Sequence, residues 1–164
     1  MIYRAVIAID PGSVSGAYAF RDAIGNTFVG DLPVAGDGVN ARWFYDFIID
    51  LNPDRALVEN VGSRPGQSAS AMWKFAKSVG IIHAVLACAG VRTELITPQK
   101  WKGFHCLAGK ASDADVKNKT RALAMRLYPK VTGLDRAKDH NRADALLMLD
   151  YALSVESRNA VETN

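Results

Sequence analysis

The sequence predicts an α/β fold: a mixed sheet of five strands, three antiparallel and then two parallel, covered by helices on both faces. Three observations carry this. Three short β-rich segments crowd into the first 33 residues, separated by turn residues, as in a meander. Beyond them, apolar runs of strand length alternate with stretches of helical spacing. The chain is 164 residues long, 49% hydrophobic and 23% charged, which suits one core-bearing domain and excludes both a disordered chain and a disulfide-stapled miniature.

Residues 3–9 are apolar and read as a buried strand at the centre of the sheet, with the later strands parallel to it. Residues 15–20 and 26–33 follow around the turn signals between Asp22 and Gly25. Residues 39–51 place Trp43, Phe44, Phe47, Ile48 and Leu51 at helical spacing, and Pro53 ends that helix. Residues 55–61 are a strand again, and 62–68 a loop by composition. Residues 69–89 are helical in pattern, with an interruption expected at Gly80 and a stop at Gly90. Residues 91–97 form the fifth strand, ended by Pro98. Residues 111–128 are a basic amphipathic helix with Ser112 as N-cap, and 139–155 a last helix with a strongly apolar face. Residues 156–164 read as a frayed, flexible tail, so the domain is expected to span 1–155.

Cys88 and Cys106 form no CxxC pair and share no metal spacing with His83, His105 or His140. They read as reduced, partly buried thiols of a cytoplasmic protein rather than a zinc site. Asp10 cuts the opening apolar run short of a secretory leader, and no apolar stretch reaches about 18 residues, so no membrane span is expected.

Charge is uneven. Residues 100–142 hold eleven bases against four acids, a net of +7 in a chain whose total is +3. A basic stretch beside an acid-bearing remainder suits a protein that grips phosphates while holding cations; it equally suits a solvated helix face.

The acids narrow the choice. Asp10 ends the first strand, and Glu59 ends the apolar run Ala56-Leu57-Val58. A carboxylate leaving a buried strand needs a partner or a cation, and open α/β sheets put their sites at these strand ends. Asp144 opens the apolar face through Leu147, Met148 and Tyr151, with His140 one helical turn before it. Each acid has a structural alternative: an Asx-turn for Asp10, a core arginine for Glu59, and an N-cap for Asp139 in place of a metal role. Three acids at the mouth of one sheet point to a divalent-metal site. Phosphodiester hydrolysis needs an activated water and charge relief on the leaving oxygen, which two Mg²⁺ ions roughly 3.5–4 Å apart supply. So anionic a site repels DNA, and flanking lysines and arginines must recover the binding.

Four segments together resemble a known family: Ala8-Ile9-Asp10-Pro11-Gly12 with Ser15-Gly16; Val58-Glu59-Asn60-Val61 with Arg64-Pro65-Gly66-Gln67 and Ser70-Ala71-Met72; Thr97-Pro98-Gln99-Lys100-Trp101-Lys102; and residues 138–146. In this order, across residues 5–150, they resemble the RuvC-type Holliday-junction resolvases of the RNase H-like superfamily, most of all the small members carried by phages. The resemblance implies a single RNase H-like nuclease domain, a homodimer that binds four-way DNA junctions and nicks two opposing strands symmetrically. It implies Mg²⁺, with Mn²⁺ as a substitute, and a branch-migration motor or DNA-packaging machinery as partner.

Carried over by position, Asp10, Glu59 and Asp144 match the family's metal-binding acids. The fourth position falls on His140, as ligand or proton shuttle, with Asp139 in reserve. Arg64 is expected to reach junction phosphates, and Lys110, Lys117, Lys119 and Arg121 to make non-specific phosphate contacts. Lys100 and Lys102 bracket Trp101, which either stacks on a base or anchors the core. Met72, Phe75, Ala76 and Val79 share a helix face that reads as core or dimer interface.

Three other readings compete. An RNase H-like nuclease for flaps, forks or RNA–DNA hybrids would carry the same acids. A nucleotide-binding lobe of the sugar-kinase or actin type shares an early Asp-Gly turn but has no second lobe at this length and no use for Glu59 and Asp144. A non-catalytic junction binder would not need intact acids.

Overall fold

A computed structural model of the chain describes residues 4–12, 16–62, 66–107 and 113–162. Its elements in order are β1 (Val6–Asp10), β2 (Ala17–Arg21), β3 (Thr27–Asp31), β4 (Val34–Ala35), β5 (Gly38–Val39), α1 (Ala41–Leu51), β6 (Arg55–Glu59), α2 (Ala69–Cys88), β7 (Arg92–Ile96), α3 (Pro98–Phe104), α4 (Asp113–Leu127), a 3₁₀ turn (Ala137–Asp139) and α5 (His140–Glu162). The main sheet runs β3-β2-β1-β6-β7, and β4 with β5 makes a separate small hairpin. β1 is central, antiparallel to β2 and parallel to β6, and β6 is parallel to β7. This is the mixed five-stranded α/β sheet expected from the order of elements.

The pleat of β1 sorts the molecule into two cores. Val6 and Ala8 point to one face, with Leu57 of β6 and Ile96 of β7, and α5 covers them through Ala143, Leu146, Leu147 and Met148. Ile7 and Ile9 point to the other face, with Phe20, Ala56 and Val58, and meet α1 and α2 through Phe44, Ile48, Ile82 and Leu86. Side chains alternate along a strand, so the next residue after Ala8 in that series is Asp10, and after Leu57 it is Glu59. Both acids therefore belong to the α5 face. Ala8, Ala17 and Ala19 are fully buried and small, which lets α5 approach the sheet closely. Gly16 serves the same end: a Cβ there would stand 2.7 Å from the Asp10 carbonyl oxygen and 2.8 Å from Leu32 Cδ1.

Local chemistry sets the helix ends. Asn40 caps α1 by accepting from the Trp43 N–H, and Asn52 closes it in the left-handed region at φ 44°. The Ser68 hydroxyl accepts from Ala71 N–H at 3.2 Å at the start of α2.

Several expectations change. Pro98 does not merely end a strand: it opens α3, since its missing N–H costs nothing in a first helical turn. Gly80 does not interrupt α2. The last helix does not stop at residue 155 but runs to Glu162, so residues 156–162 are helical rather than a frayed tail. Glu156 reaches Arg55 at 3.1 Å, and the Arg158 guanidinium lies over the Phe104 ring, tying this turn to the body. Cys88 and Cys106 are exposed rather than partly buried. α2 is long and apolar enough, by length and composition, to cross a membrane, contrary to the expectation of no such stretch; here its Ile82, Val85 and Leu86 pack on the sheet. Ser112 lies outside the described residues.

Candidate active site

Asp10, Glu59 and Asp144 come from the ends of β1 and β6 and the first turns of α5, and all three line one cleft of about 300 Å³. Asp10 and Glu59 are buried, and Asp144 is half-buried. The Asp10 and Glu59 carboxyls share a hydrogen bond. Burial pushes the Asp10 carboxyl well above its ordinary range, and the charges of Glu59 and Asp144 push it further, against the pull of Lys102. Burial likewise lifts Asp144 to about 7, opposed by Lys102, raised further by Glu59 and again opposed by Lys117. Carboxylates forced this close make the free cleft a poor place for negative charge and a good one for a hard cation.

Lys102 and Lys117 line the same cleft, as does Thr120, whose hydroxyl donates to the Val116 carbonyl at 2.8 Å. Lys102 sits at the end of α3 and Lys117 on α4, so two helices bring cations to an anionic centre. His140 also lines the cleft, with Nδ1 3.3 Å from the Ala137 carbonyl oxygen. A proton on Nδ1 donates there and leaves Nε2 as the acceptor. A larger hollow, about 780 Å³, lies between the β2–β3 turn and the end of α4, but no acid lines it.

The structure separates other candidates from this centre. Asp139 does not line the cleft. Its buried carboxylate accepts from the Arg136 N–H at 2.8 Å and from the Arg136 guanidinium at 2.8 Å, and Arg142 stands 3.8 Å away. The Arg136 hydrogen bonds hold its pKa below the ordinary range. Asp139 thus braces the turn before α5 from that turn's third position, bonding back to the Arg136 N–H, rather than serving as the N-cap residue of α5. Trp101 is fully buried and cannot stack on a base; its indole N–H donates to Glu59 Oε1 at 2.9 Å. The Arg121 guanidinium donates to the Asp135 carbonyl at 2.8 Å and so braces the loop before α5 rather than standing free for phosphate. Lys119 is exposed on α4, and Lys100 is exposed with its Nζ 5.9 Å from the Tyr151 ring centre. Arg64 and Lys110 lie outside the described residues. Of the α2 stripe, Met72 and Ala76 are exposed and Phe75 and Val79 partly so, which removes it from the core.

Two supports went unread in the sequence. One is the Trp101–Glu59 hydrogen bond, which spans 42 residues of chain. The other is the fork of Arg142 on Asp31, at 2.6 and 2.5 Å, with a third bond to the Gly133 carbonyl at 3.1 Å. It ties the end of β3 to the turn of α5 that carries His140 and Asp144. The only signal was an arginine two residues before Asp144, at the start of a helix with one strongly apolar face. Arg142→Ala is expected to lower unfolding free energy by about 2 kcal/mol, the worth of a charge-assisted fork. Urea denaturation checks this, and a change within about 0.5 kcal/mol would make the fork a surface ornament.

The metal reading meets a plain geometric test. Among the described residues, no group of three or more His, Cys, Asp and Glu side chains stands close enough to hold a metal ion as placed. The donors are nonetheless all hard oxygens, gathered in one cleft and mutually repelling. That suits Mg²⁺, which keeps several waters and takes only one or two carboxylates.

The fold is a mixed sheet with acids on the ends of two adjacent parallel strands, faced by an acid on the last helix. The chain has the fold of the RuvC-type resolvases. It overlays the structure of Thermus thermophilus RuvC with a TM-score of 0.61 at 16% identity, covering 92% of this chain and 96% of that one. The Fowlpox virus resolvase, solved with its Holliday junction DNA substrate, gives 0.61 at 15% identity, over 92% and 98%. The yeast mitochondrial Holliday junction resolvase gives 0.54 at 13% identity, over 90% and 77%. No protein-family model and no curated protein matches the sequence.

Proposed function

We propose that this chain is a metal-dependent endonuclease that resolves four-way DNA junctions by paired symmetric nicks. The observation that carries the reading is the convergence of Asp10, Glu59 and Asp144 in one cleft beside Lys102 and Lys117. The shared fold with junction resolvases supports the choice of substrate.

Asp10, Glu59 and Asp144 would hold Mg²⁺, or Mn²⁺ in its place, and when bound the cation supplies water activation and charge relief at the leaving oxygen. The chain's own residues do the rest. Lys102 and Lys117 draw the scissile phosphate toward the acids and offset their repulsion. His140 offers a ring nitrogen at the cleft wall that can take or return a proton. Lys119 and Lys100 add sequence-independent grip along the backbone.

Symmetric nicking asks for two such clefts. The α2 stripe supports a homodimer: Met72 is 40% exposed and lines an apolar hollow with Phe75, Ala76 and Val79 at the edge of the cleft. A second copy on this face would set two clefts across one junction.

The test is incubation of an immobile four-way junction with Mg²⁺, beside linear duplex, a splayed fork and an RNA–DNA hybrid, with Asp10→Asn as control. Paired nicks at symmetric positions on the junction alone are expected. Preference for the fork or hybrid would move the protein to another branched-substrate nuclease, and absence of metal-dependent cleavage on every substrate would overturn the reading.

A further inference from the structure

Trp101 is the largest fully buried side chain among the described residues, yet it is not simply core. Its two polar contacts both lead into the cleft. The edge of the indole donates to Glu59 Oε1 at 2.9 Å, and the Lys102 Nζ stands 5.1 Å from the ring centre. Glu59 and Lys102 are a cleft anion and a cleft cation. One rigid ring, packed at the start of α3 against β6 and α5, therefore grips both.

We propose that Trp101 is a positioning residue that sets Glu59 and Lys102 relative to each other. It does so by a hydrogen bond from its edge and a cation–π contact on its face. The proposal rests on the reading that Glu59 helps hold a divalent cation. Three features require tryptophan here. A buried indole N–H needs an acceptor, and Glu59 is the one it has. The bond fixes one oxygen of Glu59 and so limits its carboxylate to a narrow range of rotation. Phe keeps a ring face and loses the donor, and Leu loses both. Partners that orient a metal ligand in this way commonly affect affinity by about 10–100-fold.

The experiment is a Mn²⁺ titration of the DNA-free protein by calorimetry, for wild type, Trp101→Phe, Glu59→Gln and the double variant. Trp101→Phe is expected to weaken Mn²⁺ binding by about tenfold. In the Glu59→Gln background the same change should add less than about twofold, because the two residues act as one unit. Full additivity, or wild-type affinity in Trp101→Phe, would overturn the proposal. If the wild-type protein takes up no Mn²⁺, the metal reading itself falls and the proposal with it; if only the variant comparison fails, the nuclease reading stands. Should Trp101→Phe not fold, the wild-type protein still gives an answer. The Trp101 indole N–H resonance must shift on Mg²⁺ addition and in Glu59→Gln, and a resonance indifferent to both refutes the coupling.

Discussion

Asp10→Asn is expected to lower junction cleavage by at least about 10³-fold, the equivalent of several kcal/mol of transition-state stabilisation, while junction affinity stays level or rises. Asp10 sits at the meeting point of the cleft: buried, hydrogen-bonded to Glu59 and within the field of Asp144. Amide in place of carboxylate removes a hard ligand for the cation. It also removes a charge that repels the incoming phosphate, so binding and cleavage should part company. Affinity measured in EDTA against cleavage measured in Mg²⁺ separates the two. Equal cleavage by the variant would remove Asp10 from the chemistry, and a joint loss of binding would make Asp10 a structural residue.

The second large effect concerns stability without metal. Folding raises the Asp144 pKa to about 7 and raises Asp10 as well. An acid whose pKa rises on folding holds its proton more tightly in the native state. Between about pH 4 and 7 the folded protein keeps protons that the unfolded chain has released, so stability falls as pH rises through that window. Asp144 alone corresponds to roughly 4 kcal/mol at full effect, and partial exposure reduces this. The cation-free protein is therefore expected to be more stable at pH 5 than at pH 7.5. Asp144→Asn should raise stability at pH 7.5 by roughly 2 kcal/mol and flatten the profile. Added Mg²⁺ should stabilise the wild type at pH 7.5 and do little at pH 5, where protons compete for the same oxygens. Urea melts at the two pH values, with EDTA or Mg²⁺, decide it. A variant less stable than wild type at pH 7.5 would show that the Asp144 charge is not under strain.

Both effects arise from a compromise that the fold makes visible. Acids at the ends of β1 and β6 follow from strand alternation, and both run out of apolar strands into a place where water is scarce. The chain keeps them there with cations on helices α3 and α4 and with donors from the core. Stability is given up in the cleft so that a cation and a phosphate have somewhere to bind.

Local periodicity was legible before any fold was known. The alternation of Val6-Ile7-Ala8-Ile9-Asp10 fixes a central strand and the face to which Asp10 belongs, because a strand repeats every second residue. The run Ala56-Leu57-Val58-Glu59 fixes the second acid by the same rule. The four-residue step from His140 to Asp144 puts both on one helix face, because a helix turns in 3.6 residues. Those three rules need no knowledge of the rest of the chain; the packing of α5 on the sheet then gathers the three acids into one cleft. Contacts between residues far apart in sequence, by contrast, emerge only from the folded chain. Trp101 between two lysines reads equally as a stacking surface or an anchor until its burial and its bond to Glu59 are seen. Asp139 reads equally as ligand or cap until Arg136 and Arg142 are found closing on it. Arg121 reads as a phosphate contact until its donors are found on the loop before α5. In each case the side chain carries a charge or a donor that must be satisfied somewhere, and its type says only that. The partner is chosen by packing, which brings together residues 42 apart for Trp101 and Glu59, and 111 apart for Arg142 and Asp31.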